Sequence, residues 1–424
     1  MVFFSRKVTI LLIYVKITLA EKIWRIFNYF MKYLKQFLTN FYKLFAMTIK
    51  FKENVIVFES SMFRNYTGNP KYIYEEFVKQ GLDEKFDVYW AFKNPKDVDL
   101  SAIPGKFKTI TYKTMPFFRV YSSAAFIVSD SRLPRYLHKN KKGIYIQTWH
   151  GTPLKKLALD MEAIDMAGNT NVDRYHKHFR KSIAAWDYLL SQNSYSTKIF
   201  RHCFDFDKTI MEVGYPRNDK LLNTTASQIF ELKRKIGLPL DKKVVLYAPT
   251  WRDNEYYDLG KYKFASAIDF DELRDSLSGE YAIIVKYHYL IKDSVDWSKY
   301  EGFVYQYGEE CDIADLYLVS DMLITDYSSV MFDYSVLNRP IVFFTYDYDE
   351  YMNGLRGFYF DFKEEAPGPL VYDNDELIEA IKNYNPEKWA EKKEAFHDKY
   401  NHCDEGTASK AIVDLILENS SGNF

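Results

Sequence analysis

The run QTWHGTPLKKL, Gln147 to Leu157, sets a histidine where a short apolar stretch stops. Gly143-Ile144-Tyr145-Ile146 reads as a buried strand, and Thr152 followed by Pro153 reads as the N-cap and first residue of a helix. His150 therefore falls at a strand-to-helix junction. In open α/β sheets ligands gather at the carboxyl ends of strands, where helix starts offer unpaired N–H groups and partial positive charge. A neutral imidazole there is a candidate general base acting on a phosphorylated substrate; its plainer role is to close a turn.

Three further strand ends carry polar groups. APTWRD, Ala248 to Asp253, places Arg252 just beyond the apolar run Val244–Tyr247. In VKYHY, Val285 to Tyr289, Lys286 and His288 alternate, so both can point to one side of a strand end. LITDYSSVMFDYSVL, Leu323 to Leu337, reads as a strand ending near Thr325 and Asp326, then a helix opened by Ser328 and Ser329 and stopped at Asn338 and Pro340. Backbone N–H groups and two hydroxyls at that helix start can hold phosphate oxygens without a glycine-rich loop. The plainer roles are a surface arginine, a hydrogen-bonded histidine and two capping serines.

Signatures for other chemistries are missing from the sequence. There is no G-x-x-x-x-G-K-[ST], no G-x-G-x-x-G and no G-x-S-x-G. No compact His/Cys/carboxylate spacing suggests zinc, and Asp326 and Asp333 are too far apart along the chain to share a magnesium ion readily. Catalysis without a cofactor or a tightly bound metal is expected. Cys203, Cys311 and Cys403 are widely spaced and odd in number, which fits a reducing cytoplasm.

These strand ends need elements to position them. A chain of 424 residues, 47% hydrophobic and 27% charged, is long enough for two domains with separate cores. Apolar runs at Val55–Phe58, Phe86–Phe92, Phe107–Tyr112, Ala125–Val128, Ile144–Trp149, Tyr188–Leu190 and Ile210–Val213 predict one sheet. A polar helix near residues 225–236 separates them from Val244–Tyr247, Ala282–Val285, Val304–Tyr307, Met322–Ile324 and Ile341–Phe344, which predict a second. Strands alternating with helices imply parallel sheets and two Rossmann-like domains facing across a cleft. The expected division is 1–50, 51–219 and 220–424, with the turn-rich GYPRND, Gly214 to Asp219, as hinge and Arg217 close to the cleft.

The net charge of -1 hides a local excess. Residues 1–50 hold nine Lys or Arg against Glu21 alone, so residues 51–424 are acidic. Val8 to Ala20 is shorter than the roughly 20 apolar residues of a spanning helix. From Ile23 to Phe45 aromatic and aliphatic residues recur at helical spacing among lysines, the pattern of a basic amphipathic helix lying on an anionic membrane surface. A stripe packed on the protein's own body is the alternative, and no nucleic-acid partner is expected.

Taken in order, QTWHGTPLKKL, GYPRND, PTWRD, the histidine of VKYHY, TDYSSVMFDYS, RGFYFDF (Arg356 to Phe362), PGP (Pro367 to Pro369) and DEGTAS (Asp404 to Ser409) give the chain its resemblance to the CDP-glycerol glycerophosphotransferases, the teichoic-acid primases and polymerases. The resemblance covers residues 54–415; Tyr289 departs from it, standing where many relatives have proline. It implies a GT-B fold in which His150 deprotonates an acceptor hydroxyl that attacks the β-phosphorus of CDP-glycerol and expels CMP. His288 would be a second catalytic group, and Arg252, Ser328 and Ser329 would join it in holding the diphosphate. Lys286, Thr325, Asp326, Gly151, Thr152 and Arg217 complete the residues expected to bind substrate. The implied acceptor is a lipid-linked saccharide or polyol phosphate at the cytoplasmic membrane face. CDP-ribitol or a nucleotide sugar as donor, or a silent polymer-binding protein of the same fold, are the alternatives.

Overall fold

The computed structural model describes residues 24, 27–162, 171–250, 256–258, 261–263, 267–287, 291–292, 295–308, 311–354, 357–359 and 361–420. Its strands are β1 (Lys52–Glu59), β2 (Asp87–Phe92), β3 (Lys108–Thr111), β4 (Ala124–Ser129), β5 (Ile144–Gln147), β6 (Tyr188–Ser191) and β7 (Thr209–Glu212), then β8 (Lys243–Tyr247), β9 (Tyr256–Asp258), β10 (Lys261–Lys263), β11 (Tyr281–Val285), β12 (Ile291–Lys292), β13 (Val304–Gln306), β14 (Met322–Thr325), β15 (Ile341–Phe344) and β16 (Leu370–Val371). Each apolar run read from the sequence overlaps one of them. The polar helix expected near 225–236 is Ala226–Lys235, opened by a capping box between Thr225 and Gln228.

Two parallel sheets result, ordered β3-β2-β1-β4-β5-β6-β7 and β13-β11-β8-β14-β15-β16, with β12-β10-β9 as a small third sheet. Both large sheets grow outward from their first strand, then return to its other side. The reversal falls between β1 and β4, where Ile56 pairs with Phe126, and between β8 and β14, where Val245 pairs with Met322. Crevices at the carboxyl ends of strands that flank such a reversal are where doubly wound sheets bind ligands.

Burial on both faces explains the continuous apolar runs. Val55 and Val57 join a cluster on one face of the first sheet, while Ile56 and Phe58 join Trp90 and Phe126 on the other. Val244 and Leu246 part from Val245 and Tyr247 in the same way in the second. Much of the aromatic content is spent here: Phe58 stacks on Trp90 at 5.4 Å, with Tyr74 edge-on to both.

The C-terminal part does not stay with the second sheet. Helix Ala408–Glu418 inserts Ile412, Val413 and Ile416 into the cluster of Ile56, Phe58 and Trp90 on the first sheet. The segment expected to belong wholly to residues 220–424 thus completes the core of the earlier unit. Asp219 of GYPRND fixes the docking, accepting from the N–H groups of Ala408 and Ser409 at 3.0 and 2.7 Å at that helix's start.

The chain therefore crosses between the units twice, and the crossings are bonded to each other. Asp404 accepts from Gln192, Tyr215 N–H, Asn218 and Asn401 at 2.7, 3.0, 3.1 and 3.3 Å. Gly214 (φ 79°) passes so close that a β-carbon would stand 2.6 Å from the carbonyl oxygen of Cys403. Burial pushes the Asp404 carboxyl up to about 6, although those four donors pull it down. An amide at this position would turn an NH2 toward N–H donors. Asp404→Asn is expected to lose about 1–3 kcal/mol in chemical unfolding, with the midpoint lowered.

Candidate active site

A cavity of about 490 Å³ lies between the two reversals. The first unit lines it with Ser61, Asn65, Thr67 and the run Trp149–Leu157. The second supplies Ala248–Thr250 beyond β8, Lys286 beyond β11 and Tyr327–Val330 beyond β14. Of the residues expected to act, His150, Gly151, Thr152, Lys286, Ser328 and Ser329 are brought together. Arg252 and His288 lie outside the described residues.

His150 is held by its backbone and by one ring nitrogen. Trp149 before it is left-handed (φ 52°), an uncommon conformation for a bulky residue, and is kept there by its N–H bond to Gln147 Oε1 at 2.9 Å and by Asn69 donating to its carbonyl at 3.1 Å. The indole stacks on the imidazole at 4.4 Å and beds in the core against Phe204 at 4.7 Å. His150 Nδ1 lies 2.8 Å from the carbonyl oxygen of Asp130. A carbonyl only accepts, so Nδ1 carries the hydrogen and the neutral ring presents a basic Nε2. The ring is reached from the cavity yet walled by protein: desolvation lowers its pKa, Arg217 and Arg132 lower it further, and the Asp130 bond only partly offsets them.

The helix expected after Thr152 is not there. Thr152 bonds to Gln192 instead of capping, and the chain runs on extended to a single 3-10 turn, Ala158–Asp160. The backbone groups a helix would have used are taken by RGFYFDF: Lys156 N–H donates to the Gly357 carbonyl at 2.8 Å, Leu157 N–H to the Tyr359 hydroxyl at 3.1 Å, and the Leu154 carbonyl accepts from Tyr359 N–H at 3.1 Å. Positive charge beside His150 comes from Lys155, Lys156 and Lys286 on the cavity wall rather than from a helix start.

A helix start does exist opposite. Val330–Tyr334 begins after Ser328 and Ser329, and Ser329 makes no capping bond with its side chain. The loop of His150 approaches it closely, since a β-carbon on Gly151 would stand 3.1 Å from Ser329 Oγ. Glycine at 151 is what lets the His150 loop pass so close to the serines. Thr325 and Asp326 are buried below them, tying β14 to the chain beyond β8 through Thr325 Oγ1 to the Ala248 carbonyl and Thr250 N–H to Asp326, both at 2.8 Å.

Arg217, expected on substrate, is turned to another task. Its guanidinium grips Asp333 with contacts of 2.7 and 2.9 Å and donates to the His150 carbonyl at 2.8 Å. Burial opposes its charge, but Asp333 more than offsets this and keeps the guanidinium protonated. The pair joins the loop of His150 to the helix of the serines. Among the described residues, one close group of three metal-donor side chains, Glu212, His402 and Cys403, lies at the crossings and not on the cavity wall.

Sequence reasoning passed over the turn after β1. Ser61, Met62 and Phe63 are all left-handed (φ 51°, 55° and 67°), held by Ser61 N–H to Asp130 at 2.9 Å and Phe63 N–H to Glu59 at 2.7 Å. The buried Glu59 also accepts from Ser129 and Ser131. The available signal was the polar triplet Glu59-Ser60-Ser61 at the carboxyl end of the first strand.

Two Rossmann-like units facing across this cavity define a GT-B-like fold. The chain belongs to the family described as CDP-Glycerol:Poly(glycerophosphate) glycerophosphotransferase, which matches residues 40–418. It is 45% identical over 370 residues to the teichoic acid poly(glycerol phosphate) polymerase of Staphylococcus epidermidis, covering 86% of the chain and 50% of that relative. To the teichoic acid glycerol-phosphate transferase of Staphylococcus aureus it is 40% identical over 371 residues, covering 86% and 93%. The chain spans about half the length of the first of these. The solved wall teichoic acid polymerase TagF superposes with a TM-score of 0.84 at 42% identity, over 92% of this chain and 96% of that one; a histidine-to-asparagine variant of TagF has been solved after soaking with CDPG.

Removing one charge from the Arg217–Asp333 pair, whose side chains are only 14% and 6% exposed, leaves the other buried without a partner. Asp333→Asn is expected to cost about 3–5 kcal/mol in urea unfolding.

Proposed function

We propose that this protein transfers glycerol phosphate from CDP-glycerol to a hydroxyl of a lipid-linked saccharide or polyol-phosphate chain, with release of CMP. The observation that carries this reading is the orientation of His150, whose Nδ1 is occupied by the Asp130 carbonyl and whose Nε2 is left basic across from Ser328 and Ser329. The acceptor oxygen bonds to the β-phosphorus as its proton passes to Nε2. The bond from that phosphorus to the bridging oxygen breaks, and CMP leaves with the electron pair. Such transfers depend on positioning and on charge placed around the phosphoryl oxygens. Ser328, Ser329 and the N–H groups at their helix start stand where the diphosphate would lie, Lys286 lends charge from the wall while its ammonium donates to the carbonyls of Tyr307, Gly308 and Cys311, and Arg252 and His288 are assigned to it by family resemblance. Homology to glycerol-phosphate polymerases, and the TagF structure soaked with CDPG, support this donor.

No metal is needed in this scheme. Asp333 is held by Arg217, and Asp326 accepts from Thr250 N–H.

His150→Ala is expected to lower CMP release from CDP-glycerol and native membranes by about 10²–10⁴-fold; equal release by variant and wild type would reject the base. Because the His150 pKa is lowered, the neutral base persists to more acidic pH than a free histidine would. The acid limb of kcat/KM is therefore expected below about pH 6.5.

The site is proposed to work at the cytoplasmic membrane face. No helix among the described residues is long and apolar enough to cross a membrane. The N-terminal helix, residues 27–47, touches the body through Tyr42, Phe45 and Ala46. It turns Phe30, Phe37 and Phe41, each more than 60% exposed, to the outside. Lys32, Lys35 and Lys43 accompany them, which suits an interfacial helix on anionic lipid. Changing Phe30, Phe37 and Phe41 to serine is expected to abolish co-sedimentation with anionic vesicles while CMP release from a soluble acceptor persists; undiminished sedimentation would reject this anchor.

A further inference from the structure

A second cavity of about 490 Å³ opens beside the catalytic one. Asn65 and Thr67 line both, so the two form a single trough. Its far reach runs along the first unit past Arg64, Tyr66, Lys93, Asn94 and Asp97, and Asp312 closes it from the second. The serine-bearing helix start stands at the opposite end, on the catalytic cavity.

The charges in this extension are of two kinds. Deep in it, Lys71 pairs with Asp312 at 2.6 Å, the Tyr72 hydroxyl donates to the same carboxylate at 2.8 Å, and Tyr66 donates to Glu75 at 3.2 Å. These groups satisfy one another and make a fixed floor. Asp97 accepts from Asn94 at 2.8 Å and Asp99, a further carboxylate of the lining, from Ser101 N–H at 3.0 Å, each keeping further lone pairs for hydroxyl groups. Lys93 differs: among the described residues its ammonium has neither an ion-pair nor a hydrogen-bond partner, while its backbone N–H is anchored to the Phe63 carbonyl at 2.6 Å, on the left-handed turn. Arg64, next on that turn, is aimed by bonds to the Ser61 carbonyl and hydroxyl at 2.9 and 3.0 Å. The strained turn thus presents two cations at the mouth of the extension.

Building on the transfer reading above, we propose that this extension is the acceptor subsite and that it takes a polyol-phosphate chain. The terminal hydroxyl reaches His150 past Asn65 and Thr67, a phosphodiester behind it lies against Lys93 and Arg64, and the intervening polyol hydroxyls meet Asn94 and Asp97. A phosphodiester is anionic at every working pH, and an unpaired lysine is the partner it lacks in water. The nearby carboxylates disfavour a dense polyanion such as a nucleic acid but suit a chain in which charge alternates with hydroxyls.

The test uses the full chain, CDP-glycerol and two acceptors on the same lipid, one ending in four glycerol-phosphate units and one in a neutral saccharide, with Lys93→Gln and Lys93→Glu. Lys93 is exposed, so both variants are expected to fold. For the polyol-phosphate acceptor, KM should rise about tenfold in Lys93→Glu and less in Lys93→Gln. The KM for CDP-glycerol and the kinetics with the saccharide acceptor should stay within twofold. Equal change with both acceptors, or none with either, overturns the subsite. Binding of a soluble glycerol-phosphate tetramer, followed by calorimetry, separates the two claims. Wild-type binding weakened in Lys93→Glu without turnover by any form would sink the transfer reading and keep the subsite; turnover with unaltered tetramer binding in Lys93→Glu would do the reverse.

Discussion

The ion pair of Arg217 and Asp333 is the constraint on which the site depends. One guanidinium reaches the backbone of His150 and the helix that begins with the serines, so the two halves of the cavity share a single rigid fork. Asp404 performs a similar service where the chain crosses between units, collecting donors from both crossings. GYPRND, read from its turn-forming residues as the hinge, and DEGTAS are together the joint between the two units.

How far the amino-acid sequence foretold this follows from the range of the forces involved. Alternating burial across a doubly covered sheet is a local pattern, and runs such as Val55–Phe58 and Val244–Tyr247 announced their strands. The two- and three-residue strands β9, β10, β12 and β16 are too short to carry any period. Thr152-Pro153 had the local form of a helix start, yet the N–H groups that follow are claimed by Gly357 and Tyr359, about two hundred residues away. Arg217 read as a substrate-binding residue because its partner, Asp333, is remote along the chain. The turn at Ser61–Phe63 contains no glycine or asparagine to mark a left-handed path; Glu59 and Asp130 impose it from outside.

Those two buried carboxyl groups also connect the turn to the base. Asp130 receives Ser61 N–H on its side chain and the His150 ring on its main-chain carbonyl. The wall of the cavity and the tautomer of the imidazole are therefore set by one residue of β4's end. Burial raises the pKa of both Glu59 and Asp130, and a packed, hydrogen-bonded pocket supports His150 from behind.

The returning C-terminal helix bears on the order in which the protein is made. Residues 52–212 leave the ribosome first and can form their sheet, but one face of it waits for Ile412, Val413 and Ile416. Until those residues emerge, Ile56, Phe58 and Trp90 lack part of their cover, and the nascent first unit carries an apolar seam of the kind that chaperones shield and that aggregates when left bare. The half that begins synthesis first is the half that is finished last.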